Sequence, residues 1–337
     1  MKIAVIFGGS GFIGSHFSQY LLENKFIDKI IVADILPLDT ARTTSKYKYL
    51  VEQGFIEYMA CDVRSEIKID EIGDVSLIAN FAAIHREPGH EPLEYFETNL
   101  KGAENVCDWA DEVNCKNLIF TSSIAPYGPS ETELTEKSIP VPVTPYGASK
   151  LVAETIHAAW QKQNMSEKKL VIVRPGVVFG AGEGGNVSRL VKATLKGYFL
   201  YMGNKNTRKA GVYVKELCNA MWWVLENQTI NGKALFNMSM NPGPTISEYV
   251  DTVCHVAGVK RFVPNVPWFS LYLASHVIAP IAGLLKINQP ISPVRIKKLA
   301  RSNNILPKFL EEHNYLYKYT FIEAMVDWKN DKGEDWS

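Results

Sequence analysis

The chain has 337 residues, 46% of them hydrophobic, which suits roughly two domains or one large domain carrying a grafted lobe. Lys plus Arg and Asp plus Glu both number 36, so the basic excess of a nucleic-acid binder is missing and no nucleic-acid partner is expected. Cys61, Cys107, Cys115, Cys218 and Cys254 are widely spaced with no CxxC pair. That argues against a metal centre and a disulfide framework, and it fits the reducing cytoplasm.

Ile3 to Phe7 reads as a strand buried on both faces, too short an apolar run for a signal peptide. Gly8-Gly9-Ser10-Gly11-Phe12-Ile13-Gly14 follows at once, then a helix with Ile13, Phe17 and Leu21 on one side. Strand, glycine loop and helix in this order form the setting in which a dinucleotide binds. Gly8 permits the tight turn, Gly11 lets backbone approach a pyrophosphate, and Gly14 lets the helix pack closely. The helix N-terminus, at Phe12 and Ile13, offers N–H groups to phosphate. A second strand, Lys29 to Asp34, ends in an acid 20 residues after Gly14. Asp34 can accept from ribose hydroxyls and would repel a 2′-phosphate, which favours NAD. Arg42 keeps NADP open.

Phe55 to Ala60 reads as a third strand; Asp62 at its end can take the adenine amino group, with a strand-end turn acid as its plainer role, and Val63 beside it is a cofactor-binding candidate. Ser76 to Phe81 is a fourth strand. The small Ala82 and Ala83 after it let a cofactor cross the strand ends, and His85 and Arg86 follow as candidate substrate contacts or as solvated loop. Glu94 to Asn114 reads as a helix whose inward stripe of Ala103, Val106 and Ala110 includes the polar Asn99. A buried amide needs partners, so Asn99 is expected to steady the helix and the cofactor site.

Asn117 to Thr121 is a fifth strand leading into Ser122-Ser123. Pro145 opens a helix that Thr144 can cap, and Tyr146 and Lys150 share one of its faces. An ammonium beside a phenol favours the phenolate, so Tyr146 can act as acid and base, with Ser123 holding the reacting oxygen. Leu170 to Arg174 is a sixth strand. Strands alternating with helices imply an α/β fold of the Rossmann type, a doubly wound parallel sheet with ligands at its carboxyl end. Residues 1–175 form the expected NAD-binding domain, with a later strand at 234–238 returning to it; residues 176–337 form a smaller, mixed substrate lobe. Within that lobe, Asn186 precedes a helix over 187–196 and can receive a substrate phosphate, as can Arg208 before a short strand. Leu217 to Leu225 reads as helical. Val266 to Ile287 has no charge until Lys286 and is close to the roughly 20 residues that cross a bilayer, although Pro267, Ser270, Ser275, His276 and Pro280 weaken a span. A buried or partner-covered helix is the first reading of 266–287, and contact with a membrane or a lipid-linked substrate the second.

Gly8-x-x-Gly11-x-x-Gly14, Asp34, Asp62-Val63, Asn99, Ser123 and Tyr146-x-x-x-Lys150 together resemble the extended short-chain dehydrogenase/reductases, and among them the nucleotide-sugar epimerase/dehydratase group. The resemblance covers residues 1 to about 240 and is looser beyond. It implies that Lys150 also binds the nicotinamide ribose. The group's dehydratases carry an acid pair after the active-site hydroxyl, where this chain has Ile124 and Ala125; its 3,5-epimerising members place a Cys here, and this chain does not. What remains resembles an NAD-dependent 4-epimerase acting on a nucleotide-linked hexose through a transient ketone. Val177 stands where the group has an Asn, and Lys209 where an acid follows its phosphate-binding Arg, here Arg208. The C-terminal apolar run and the basic Arg295 to Arg301 look more like 3β-hydroxysteroid dehydrogenase-like relatives and hint at a lipid-linked sugar. A ketosugar reductase or hydroxysteroid-type dehydrogenase is the rival enzyme. A non-catalytic cofactor sensor is disfavoured because the Tyr/Lys pair is intact. Relatives in the group are often homodimers through the helices at 94–114 and 145–163, so a homodimer is expected.

Overall fold

The computed structural model describes residues 1–69, 72–86, 89–227, 229, 231–267, 269 and 303–337. Seven parallel strands form the central sheet: β1 (Ile3–Phe7), β2 (Lys29–Asp34), β3 (Ile56–Ala60), β4 (Val75–Asn80), β5 (Asn117–Thr121), β7 (Lys169–Pro175) and β11 (Lys233–Met238). Their order across the sheet is β11-β7-β5-β4-β1-β2-β3. The chain winds outward from β1 to β3, then restarts at β4 on the other side of β1. That reversal opens a crevice at the carboxyl ends of β1 and β4, where such sheets bind ligands.

Side-chain alternation along the strands feeds a separate core on each face. Ala4, Ile6 and Val32 pack with Phe17 and Leu21 of α1 (Phe12–Glu23) and with Leu217 and Met221 of α6 (Val214–Asn227). Val5, Phe7, Ile78 and Phe120 pack with Ala103 and Val106 of α3 (Pro92–Glu112) and with Ala153 and Trp160 of α4 (Pro145–Lys162). Strands buried on both sides explain the near-continuous apolar runs in the sequence.

Beyond the sheet lie α5 (Asn186–Leu195), α7 (Ile246–Ala257), α8 (Lys308–Glu312) and α9 (Phe321–Asp331). Three two-stranded parallel pairs accompany them: β8 (Val177–Phe179) with β10 (Gly211–Tyr213), β9 (Tyr201–Met202) with β12 (Asn265–Val266), and β6 (Ser130–Leu134) with β13 (Asn303–Ile305). A short helix, α2 (Ser45–Glu52), is capped by Thr44 and was not expected from the sequence. β10 is the short strand expected after Arg208, whereas β8, β9, β12 and β13, of two or three residues, show too little alternation to be read, and the polar β6 resembles a loop. The expected apolar segment 266–287 and basic stretch 295–301 lie outside the described residues, apart from Val266, Pro267 and Phe269. Among the described residues, no helix is long and apolar enough to cross a membrane.

Candidate active site

The glycine loop folds against the end of β4. Gly8 has φ +72°, and a Cβ on it would lie 2.5 Å from the Ala82 nitrogen. A Cβ on Gly14 would lie 2.5 Å from Gly9 Cα, so α1 packs directly on its own entry turn. At Gly11 a Cβ would meet only the Gly8 carbonyl, at 3.2 Å, among the described residues. Gly11 is also the N-cap of α1 and makes no side-chain cap, which leaves the first-turn N–H groups around Phe12 and Ile13 available to an anion. Asp34 holds the loop from the side: its Oδ2 accepts from Ser10 N–H and its Oδ1 from Leu36 N–H, both at 3.0 Å. A narrow backbone cradle beside a strand-end carboxylate suits a dinucleotide diphosphate and its ribose.

Asp62 is less free than the sequence suggested. Arg64 grips both its oxygens, at 2.9 and 2.6 Å, and this bonding holds its carboxyl below the usual range. Val63 is buried against Gly102 of α3, and its carbonyl accepts from Asn105 at 2.7 Å. Ala82 and Ala83 are half-buried beside the glycine loop. His85 and Arg86 are exposed at the mouth, where the Arg86 carbonyl accepts from the Tyr95 hydroxyl. Partial burial, and then the charges of Arg86 and Lys150, lower the His85 pKa.

Asn99 links this loop to α4. Its carbonyl accepts from Ile84 N–H at 3.2 Å and its amide donates to Ser149 Oγ at 2.8 Å. Thr144 caps α4 by accepting from Gly147 N–H at 3.1 Å, as its position before Pro145 implied. Gly147 is required there, because a Cβ would lie 2.7 Å from the Ala125 carbonyl. The first turn of α4 thus rests on the segment that carries Ser123, whose Oγ accepts from Ala125 N–H at 3.1 Å. Tyr146 is half-buried, with its ring 6.2 Å from that of Tyr95. Lys150 is 1% exposed, its Nζ 4.3 Å from the centre of the Phe120 ring. Burial lowers its pKa to about 7, while Glu154 pulls it upward.

The two distal candidates are tied down locally. Asn186 begins α5 and accepts from Arg189 at 2.6 Å. Arg208 donates to the Gly243 carbonyl at 2.6 Å and lies 4.0 Å from Glu248. Glu154 went unnoticed in the sequence although it continues the four-residue spacing of Tyr146 and Lys150. Ser149, Tyr95 and Tyr127 also went unnoticed, and their spacing offers no comparable signal.

The model of the NAD dependent epimerase/dehydratase family matches residues 4–238. The chain belongs to that family. Like other members of the NAD dependent epimerase/dehydratase family, it is an NAD-dependent enzyme on a Rossmann-type α/β frame. It is 26% identical over 322 residues to the N-acetyl-alpha-D-glucosaminyl-diphospho-ditrans,octacis-undecaprenol 4-epimerase of Escherichia coli O157:H7, covering 95% of this chain and 92% of the relative. It is 30% identical over 281 residues to the UDP-glucose 4-epimerase of Mycoplasma genitalium, covering 74% and 79%. The solved UDP-glucose 4-epimerase of Thermus thermophilus in complex with NAD superposes with a TM-score of 0.70 at 22% identity, over 98% of each chain.

Proposed function

We propose that this enzyme inverts a hydroxyl, at C4, of a hexose carried on a diphosphate. The observation that carries the reading is the set Ser123, Tyr146 and buried Lys150 at the sheet's carboxyl end, with Ile124 and Ala125 where a dehydratase would need acids. Gly8, Gly11, Gly14 and Asp34 are the residues that would hold NAD; Asn99 would steady that site, and Lys150 would reach the nicotinamide ribose. When bound, NAD supplies the hydride acceptor and donor. Tyr146 takes the proton from the sugar hydroxyl and returns it after the ketone has presented its other face. The Lys150 ammonium, in a site of low polarity, makes the Tyr146 phenolate accessible near neutral pH. Ser123 hydrogen-bonds the reacting oxygen and keeps it within reach of Tyr146. Water excluded from the Lys150 side strengthens these interactions.

Purified protein incubated with UDP-hexoses or UDP-N-acetylhexosamines, without added reductant, should interconvert the epimers at C4. Tyr146→Phe should retain NAD and lose turnover by about 10²–10⁴-fold. Unchanged activity in that variant would remove Tyr146 from the reaction, and net consumption of NADH or NADPH would favour a reductase.

A second reading, with the sugar on a polyprenyl diphosphate, has its own support. The relative acting on an undecaprenol-linked sugar matches 95% of this chain, against 74% and 77% for two UDP-glucose 4-epimerases. Ile139, Val141 and Val143, immediately before α4, are 82, 60 and 65% exposed and offer apolar surface beside the site. Epimerisation of the lipid-linked sugar with no turnover of UDP-sugars would decide for it. We also infer a homodimer through α3 and α4 working in the cytoplasm in polysaccharide biosynthesis; a monomer by light scattering would remove the dimer.

A further inference from the structure

Behind the candidate catalytic face lies a buried ion pair. Arg174 of β7 grips both oxygens of Glu154 of α4, at 2.8 and 2.6 Å, and Ser122 donates to the same carboxylate at 2.5 Å. The residues are 4, 5 and 4% exposed respectively. Arg174 stacks 4.7 Å over the ring of Tyr127, whose hydroxyl donates to Asn237 at 2.8 Å. The carbonyls flanking Arg174 clamp the segment bearing Ser123: Ser122 N–H donates to Val173 at 2.8 Å and Ile124 N–H to Pro175 at 3.2 Å. One carboxylate therefore joins the catalytic helix, the sixth strand of the chain's main sheet and the residue next to Ser123.

We propose that Glu154 and Arg174 are a positioning pair, fixing the Ser123 hydroxyl against the Tyr146 and Lys150 face of α4. Stability alone is a weak reason for a buried ion pair, since apolar residues of similar volume do as well or better. Its placement gives it another use. Around Lys150 stand Glu154 and His157 from its own helix, Phe120 from β5 and His85 from the loop after β4, and Tyr146 lies one turn earlier on α4. Tyr95 of α3 lies against Tyr146. Burial keeps His157 neutral, with its pKa lowered to about 3. Glu154 is the carboxylate that favours the Lys150 ammonium, and Arg174 and Ser122 keep it in place. The inference rests on the epimerase reading through the roles of Ser123 and Lys150.

The test uses the NAD-loaded enzyme and begins with wild-type epimerisation; its absence on every sugar offered would fail the functional reading alone. With activity present, Glu154→Gln should lower kcat by about 10-fold or more with KM nearly unchanged, the pattern of a misplaced catalytic group. Its loss of rate at high pH should begin at lower pH, and the Lys150 amine should titrate lower by ¹⁵N NMR, a readout independent of turnover. The double variant Glu154→Leu/Arg174→Met covers the case in which the single variant fails to fold. It should recover thermal stability while kcat stays low. Recovery of kcat together with stability, or a Glu154→Gln enzyme with wild-type rate and Lys150 titration, would overturn the proposal.

Discussion

The side chain of Asn99 joins Ile84 to Ser149, and Ser149 Oγ passes the connection on by donating to the Tyr146 carbonyl at 2.9 Å. One buried amide thus ties the loop after β4 to the first turn of α4. Asn99→Leu would leave the Ile84 N–H without this acceptor and Ser149 Oγ without this donor. The expected cost is about 1–3 kcal/mol of stability, together with lower turnover. Ser149→Ala should cost less, about 1 kcal/mol, because the Asn99 amide keeps its contact with the Ile84 carbonyl at 3.4 Å. Denaturant unfolding of both variants checks the order, and equal losses would contradict it.

The glycines give a matched comparison. Gly8 and Gly54 both adopt positive φ, +72° and +75°, but of the two only Gly8 faces backbone at 2.5 Å, while no described residue lies within 4 Å of a Cβ on Gly54. Gly54→Ala should cost only the left-handed backbone, about 1–2 kcal/mol. Gly8→Ala adds a collision with Ala82 that cannot relax without moving β4, a further ~1–3 kcal/mol. It should also abolish retention of NAD. Melting temperature and bound dinucleotide, measured side by side, separate the two effects.

These features were unequally legible in the sequence. The strand-loop-helix unit, Asp34 and the Tyr146/Lys150 spacing are local patterns, each confined to a few neighbouring residues, and periodicity exposes them. Asn99 was legible because a polar residue on an apolar stripe must find partners. The Glu154 and Arg174 contact spans 20 positions, and its members come from a helix and a strand whose packing no local pattern specifies. The pairing of Asp62 with Arg64, two residues on, was not read from the sequence, because a strand-end acid and a following Arg show no periodic pattern. Helix α2 carries only one buried residue, Tyr47, so it lacks an apolar stripe to read.

On the proposed reading Asp34 has two tasks that substitution can separate. Its charge disfavours a 2′-phosphate, while its oxygens hold the Ser10 and Leu36 N–H groups. Asp34→Asn keeps one acceptor oxygen and removes the charge, so NADP should gain relative to NAD with a modest loss of overall affinity. Asp34→Ala removes both acceptors, so the glycine loop should loosen and both dinucleotides should bind more weakly. Titration of each variant with each cofactor is the measurement; unchanged preference in both would dismiss the ribose contact.

Lys150 sets stability against function. Its pKa is lowered from 10.5 to about 7 by burial, so between those values the unfolded chain holds a proton that the folded chain has released. Stability from this group therefore rises as pH rises from about 7 towards 10.5. Below about 7 both states are protonated, and the full cost of burying the ammonium is present. Lys150→Met keeps an unbranched side chain, one atom shorter, and removes that cost. The variant should melt at higher temperature than the wild type at pH 6, and the advantage should shrink steadily as pH approaches 10. On the proposed mechanism turnover should be lost at every pH, because the ammonium assigned to favour the Tyr146 phenolate is gone. Thermal melts of both proteins across this pH range provide the check. A gain in melting temperature that does not vary with pH would mean that methionine merely packs better, and that the folded lysine is not the titrating group.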